Sequence, residues 1–302
     1  MCGIVGLFLK DRSLEGRLGE LLSEMLVTMT DRGPDSAGIA IYGSGDAGKV
    51  KLTVQSATPE TDFVGLEGAL EAELGSKVSV SLRDTHAVVT VDAGLADAAR
   101  AAIATVRPNL RMMSVGETIE IYKETGLPKD VVARFGVSAM TGSHGIGHTR
   151  MATESAVTTL GAHPFSTGSD QCLVHNGSLS NHNNLRRELI KAGMSFATQN
   201  DSEVAAAYLT GEMNKGANLG EALDHAIGDL DGFFTFVVGT KSGFGVLRDP
   251  IACKPAVMAE TDQYVAFGSE YRALVNLPGI ENARVWEPEP ATVYFWDHEQ
   301  AA

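Results

Sequence analysis

Met1-Cys2-Gly3-Ile4-Val5-Gly6-Leu7-Phe8-Leu9 opens the chain, and its second residue governs how everything downstream is read. A small residue at position 2 lets the initiator methionine be removed, which would leave Cys2 with a free α-amine. Such an amine ordinarily titrates at about pH 7.7–8.0, so near neutral pH it can take the proton from the thiol of its own residue. Nucleophile and base then reside in one amino acid, the logic also used by amino-terminal threonine. A Met-Cys start by itself establishes nothing, because many chains begin that way by chance. The apolar run after Cys2 reads as a buried strand. It is brief, has no basic leader and shows no small-residue cleavage site, so the expectation is a cytoplasmic chain without a secretory signal.

Working outward, 302 residues admit one large domain or two small ones. The 24 basic and 38 acidic side chains give a formal charge of −14, and no block of Lys or Arg interrupts it. A chain of this sign repels polyanions, which argues against nucleic acid and anionic membranes as partners. With 44% apolar and 21% charged residues, a sizeable core is expected. No apolar run approaches the eighteen or so residues of a membrane span. Cys2, Cys172 and Cys253 are odd in number and lack paired spacing, so neither a disulfide framework nor a zinc knuckle is expected; Cys172 and Cys253 read as buried core thiols. His144 and His148 are separated by glycines in a strand-like context, which removes the helical face a metal-binding pair would need, so no metal site is assigned. Gly43-Ser44-Gly45-Asp46-Ala47-Gly48-Lys49 matches dinucleotide and phosphate-loop spacings, but Val50-Lys51-Leu52-Thr53-Val54 continues as a strand where those motifs require a helix. We read it as a hairpin turn.

Leu14, Leu18, Leu21, Leu22, Met25, Leu26 and Met29 predict one long amphipathic helix ending near Thr30. Asp31 to Gly38 reads as a polar loop and Ile39 to Tyr42 as the strand that leaves it. Residues 49–123 have a different texture, in a β-β-α-β order that includes Thr118 to Tyr122, and look like a small α/β module inserted into a larger fold. Beyond it come a helix at Leu127 to Phe135, strands at Gly145 to His148 and Gln171 to His175, and helices at Asn184 to Ala192 and Glu203 to Met213. Gly193 suits a helix carboxyl cap, and Asp201-Ser202 are candidate amino-terminal caps. The last seventy or so residues are mostly strands, so a layered fold with largely antiparallel sheets is expected.

Six stretches occur in order: Cys2-Gly3-Ile4-Val5-Gly6, Asp31-Arg32-Gly33-Pro34-Asp35-Ser36-Ala37-Gly38, Gly147-His148-Thr149-Arg150-Met151-Ala152-Thr153, Ala162-His163-Pro164-Phe165, Val174-His175-Asn176-Gly177 and Asn200-Asp201-Ser202-Glu203. With Leu247-Arg248-Asp249-Pro250, Lys254-Pro255 and Gly268-Ser269-Glu270, they make the chain resemble the class II glutamine amidotransferases, the amino-terminal-nucleophile glutaminase domains of amidophosphoribosyltransferase, glucosamine-6-phosphate synthase and glutamate synthase. The resemblance covers residues 1 to about 43 and about 124 to 297. It implies an α+β fold, a four-layer αββα sandwich spanning 1–297 with the insertion at about 49–123 and a short tail at 298–302.

Glutamine presents an α-carboxylate, an α-ammonium and a side-chain amide, and the resemblance implies a residue for each. Arg150 would fork onto the carboxylate, although a surface salt bridge also fits its sequence context. Asp201 would take the ammonium, with a plain helix cap an equal reading from the residues alone. Asn176 and Gly177 would form the oxyanion hole, where Asn-Gly is otherwise a favoured turn pair. Thr153 would assist at the carboxylate. Arg32 lies on what resembles the loop that closes over bound glutamine, with a salt bridge to Asp31 or Asp35 as its alternative. Met151 departs from the family, many members of which carry an aromatic residue after the arginine.

The implied activity is hydrolysis of L-glutamine to glutamate and ammonia through a Cys2 thioester. Most relatives fuse this domain to one that consumes the ammonia, and the expectation here is a separate synthase subunit. A chain of this kind resembles the glutaminase subunits that accompany glutamate-synthase-like subunits, as in N-methylglutamate synthase. No cofactor is expected in this chain, with FMN and an iron–sulfur cluster belonging to such partner subunits. The alternative is a catalytically inactive regulatory or scaffold subunit.

Overall fold

The computed structural model describes residues 2–152 and 156–299. A seven-stranded sheet runs, edge to edge, through β14 (Arg284–Trp286), β12 (Val257–Glu260), β13 (Tyr264–Gly268), β1 (Gly3–Leu9), β8 (His144–Arg150), β2 (Ser36–Tyr42) and β7 (Ile119–Thr125). A four-stranded sheet of β15 (Val293–Asp297), β11 (Gly243–Arg248), β10 (Gly232–Gly239) and β9 (Cys172–Leu179) faces it. The named strands pair antiparallel throughout both sheets.

The opening run of apolar residues is explained by burial on both faces of β1. Val5, Leu7 and Leu9 pack under α1 (Leu18–Thr28) and α5 (Pro128–Phe135), while Ile4 and Phe8 meet Val174, Val237 and Phe244 of the other sheet. A strand covered on both sides has no use for polar alternation. The opposite face of the four-stranded sheet, with Leu173, Phe236 and Val238, packs on α7 (Asp201–Asn214) and α8 (Leu219–Asp229), and α6 (His182–Lys191) completes that layer. Helix, sheet, sheet, helix is the expected αββα sandwich, an α+β fold.

The helix read as continuous from Leu14 begins as a 3-10 turn at Arg12–Arg17, and α1 proper starts at Leu18. Leu21, Leu22, Met25 and Leu26 are all fully or nearly fully buried. Truncating one of them to alanine costs about 2–5 kcal/mol. β2 begins three residues before the expected Ile39, at Ser36, so only Asp31–Asp35 is left to the polar turn. α8, opened by a capping box between Asn218 and Glu221, was not anticipated.

The inserted stretch builds its own four-stranded sheet, ordered β4 (Ser79–Arg83), β5 (His86–Asp92), β3 (Lys49–Gln55) and β6 (Arg111–Gly116). α2 (Pro59–Asp62), α3 (Leu66–Leu74) and α4 (Ala96–Val106) accompany it, around a separate core of Leu52, Val54, Leu66, Leu70, Val89 and Ile103. The expected strand at Thr118 to Tyr122 does form, but as β7 it pairs with β2 in the large sheet. Gly43–Lys49 is correspondingly no hairpin turn. It carries the chain from β2 in one sheet to β3 in another, and β3 pairs with β5 and β6. Cys172 is fully buried as expected, whereas Cys253 is exposed, because the loop after Arg248 runs along the surface.

Candidate active site

Cys2 sits at the head of the central strand, half-buried, and lines an open cleft of about 930 Å³. Its backbone is held from three directions. The Cys2 carbonyl accepts from Arg32 Nε at 3.0 Å and from Asn176 Nδ2 at 3.3 Å, and two residues on the Ile4 N–H donates to Ser269 Oγ at 2.9 Å. Arg32 Nη1 donates to Glu270 Oε1 at 2.7 Å. Arg272 also reaches that carboxylate at 2.6 Å. The Arg32 hydrogen bond is the leading reason the Glu270 carboxyl is held below its ordinary range.

Arg32 was expected over the substrate or paired with Asp31 or Asp35. The structure places it otherwise: it is buried behind Cys2, bonded to Glu270, and is not among the residues lining the cleft. The rest of its motif is equally immobilised. Asp35 accepts from Ala152 N at 2.8 Å and its own N–H donates to the Arg150 carbonyl at 3.1 Å, fixing the end of β8. Gly38 passes so close beneath another segment that a Cβ there would lie 1.9 Å from the His163 carbonyl oxygen.

Four of the expected residues meet Cys2 at the cleft: Arg150, Asn176, Gly177 and Asp201. Arg150 ends β8, is buried, and donates from Nη1 to the Ala156 carbonyl at 3.3 Å. Asn176 and Gly177 lie within β9, not in a turn, paired with Thr235 and Phe234 of β10. Gly177 has φ +151°, and a Cβ there would meet the Phe233 carbonyl at 1.9 Å, so its place in the strand demands glycine. Asp201 is the first residue of α7, whose cap is Asn200 through a 2.8 Å bond from Ser202 N. Freed from capping, the Asp201 carboxylate accepts from Leu179 N at 2.9 Å. Thr153 lies outside the described residues.

Beside them stands a buried polar cluster that the motifs contained but to which no role had been assigned. Ser202 Oγ lies 2.8 Å from His163 Nε2 and 2.9 Å from His175 Nδ1. The hydroxyl has one proton to donate and two lone pairs to accept with, and Asp201 Oδ1 lies 3.4 Å from the same oxygen. His148 stacks on His163 with ring centroids 4.1 Å apart and donates from Nε2 to the His175 carbonyl at 3.2 Å. Burial pushes all three imidazoles down, His148 to about 3, His175 to about 4 and His163 well below its ordinary value, so each is neutral at pH 7. Lys254 and Phe233 also line the cleft, with the ammonium 4.9 Å from the ring centroid. The motif Lys254-Pro255 was the signal for the first of these. Among the described residues no three His, Cys, Asp or Glu side chains are placed to hold a metal.

A thiol, an amide donor, a guanidinium and a carboxylate around one cleft form the complement of an amino acid bearing a side-chain carbonyl. A glutamine amidotransferase domain model matches residues 148–276, which include Arg150, Asn176, Gly177 and Asp201. The chain is similar in fold to the glutamine phosphoribosylpyrophosphate amidotransferase of B. subtilis, with a TM-score of 0.62 at 18% identity, covering 99% of this chain and 48% of that one. It is 74% identical to the glutamine amidotransferase-like protein GlxB of Rhizobium meliloti (strain 1021), over 100% of both chains. The chain belongs to the glutamine amidotransferase family. Another member of this family, a putative glutamine amidotransferase of Methanothermobacter thermautotrophicus, is 30% identical over 97% of this chain and 99% of its own length.

Proposed function

We propose that the chain is a glutaminase subunit that supplies ammonia to a separate synthase. The observation that carries this reading is the convergence of Cys2, Arg150, Asn176, Gly177 and Asp201 on one cleft from four different elements of the fold. With Met1 removed, the Cys2 α-amine takes the thiol proton as sulfur adds to the side-chain amide carbon of glutamine. Negative charge gathers on the amide oxygen, where Asn176 and Gly177 stand to donate. Collapse breaks the C–N bond, the protonated α-amine returns its proton to the leaving nitrogen, and ammonia departs. Water, activated by the same amine, then adds to the γ-glutamyl thioester and releases glutamate and the thiol. Arg150 holds the α-carboxylate and Asp201 the α-ammonium throughout, while Arg32 acts from behind by fixing the Cys2 carbonyl.

In this reading the ammonia acceptor resides on another polypeptide. A glutamate-synthase-like subunit, as in N-methylglutamate synthase, is the acceptor we favour, with FMN and iron–sulfur chemistry on that partner. The test is a pull-down from the native source followed by a glutamine-dependent synthase assay on what is recovered. Co-purification of a flavoprotein whose product formation requires this chain supports the assignment. Recovery of the chain as an active glutaminase with no such subunit opposes the partner assignment while leaving the glutaminase intact.

A further inference from the structure

The cleft and the inserted module meet at two consecutive residues of β7, Lys123 and Glu124. Lys123 is 4% exposed, yet its ammonium sits among backbone oxygens: the carbonyls of Ala162 at 2.8 Å, Pro164 at 3.2 Å and Leu160 at 3.3 Å. The Phe165 ring lies 4.6 Å from the same nitrogen. The segment so gripped is a wall of the cleft, since Leu160, Gly161 and His163 line it and His163 is bonded to Ser202 beside Asp201. Glu124 takes the start of that segment, accepting from Thr159 Oγ1, and with its other oxygen accepts from Thr85 Oγ1 in the β4–β5 turn of the module at 3.1 Å.

A buried ammonium is costly unless its donors are satisfied. The Glu203 carboxylate acts favourably on Lys123 at a distance, but its own oxygens are committed to Ala197 N, Thr198 N and Thr198 Oγ1. The three carbonyls are therefore what holds the ammonium, and it in turn holds three carbonyls of one short segment in a fixed arrangement. An apolar residue would fill the same space without doing so.

We propose that Lys123 is a positioning residue for glutamine binding, fastening the 159–164 wall of the cleft to β7, and that Glu124 links the same wall to the inserted module through Thr85. This rests on the glutaminase reading above. Burial pulls the Lys123 amine down to about 7, so the grip is strongest below neutral pH and weakens as pH rises past that value. The other titratable groups around Lys123 are Glu203 on α7, His163 on the gripped segment, His86 on β5 and the adjoining Glu124; burial keeps the two imidazoles neutral across this range.

The test compares wild type, Lys123→Met and Lys123→Arg in the full chain, reading kcat and KM for glutamine between pH 6 and 8.5. Alkylation of Cys2 by a saturating glutamine-like diazoketone serves as the check on the nucleophile. Lys123→Met is expected to raise KM about ten-fold at pH 6.5, the order of losing one charge-assisted hydrogen bond, with kcat and final alkylation retained. Its KM ratio to wild type should shrink toward pH 8.5, where wild type also loses its ammonium, whereas Lys123→Arg should hold KM low across the range. Thr159→Val, which removes only the donor to Glu124, should raise KM without lowering the melting temperature appreciably, and it serves in place of Lys123→Met if that variant fails to fold. A folded Lys123→Met with wild-type KM and pH profile, or an unchanged KM in Thr159→Val, overturns the inference. Failure of wild type itself to hydrolyse glutamine or to be alkylated would instead refute the glutaminase reading.

Discussion

Arg32 Nε donates to the backbone carbonyl of Cys2 at 3.0 Å, so the arginine of the second motif holds Cys2 from behind. Replacing Arg32 with alanine removes this donor and leaves Glu270 to Arg272 and the Cys2 carbonyl to Asn176. A displacement of the thiol by an ångström or so is expected to lower kcat about a hundred-fold. Glu270→Gln keeps an acceptor for Arg32 and should lose less. Steady-state kinetics on both variants, with melting curves to confirm folding, checks the order of the two effects.

Asn176→Ala and Asp201→Ala should fail in different ways. Loss of an oxyanion donor lowers kcat by about 10²–10³ with little change in KM. Loss of the carboxylate proposed to hold the α-ammonium should raise KM for glutamine, and also leaves Leu179 N–H without its 2.9 Å acceptor, at about 1 kcal/mol of stability. Equal effects on KM in the two variants would count against the division of roles.

Gly177→Ala is expected to unfold or strongly destabilise the chain. The φ of +151° carries about 1–3 kcal/mol of strain for a residue with a side chain. The close approach to the Phe233 carbonyl adds a clash with backbone that cannot rotate away. Denaturant midpoints of the purified variant measure the loss.

Acid should destabilise the fold between pH 6.5 and about 3–4. Burial lowers His86, His144 and His148 to about 3 and His175 to about 4, so in that window the unfolded chain binds protons that the folded one refuses. Stability therefore rises with pH there, by up to about 1.4 kcal/mol per pH unit for each imidazole. His86, packed edge-on against Phe135, is the cleanest to remove. His86→Phe should reduce the slope of stability against pH between 4 and 6 by about that single contribution, with chemical denaturation at each pH as the measurement. An unchanged slope would mean that His86 is not buried neutral.

Legibility in the sequence followed the physical origin of each feature. Apolar periodicity placed α1 and the buried strands, because burial on one or two faces leaves a pattern in neighbouring residues. The ordered motifs brought Cys2, Arg150, Asn176, Gly177 and Asp201 to one cleft, since their chemistry is carried by residue type. What escaped was partnership across the chain: the pairing of Arg32 with Glu270 spans 238 residues, and nothing local to Arg32 distinguishes it from a salt bridge to Asp31 or Asp35. The strand at 118–122 read as part of the module for the same reason, because its partner β2 lies on the far side of the insertion. Lys123 gave no signal at all, as a lysine in a strand reads as solvent-facing until the three carbonyls around it are seen.

The central claim is that Cys2, with its α-amine free, is the nucleophile. Intact mass of the purified chain before and after a glutamine-like diazoketone tests it most directly. The account predicts a starting mass short by one methionine, then a single adduct per chain, minus the lost dinitrogen, mapped to Cys2 by peptide sequencing and absent in Cys2→Ala. A chain that retains Met1 and takes up no adduct would contradict it.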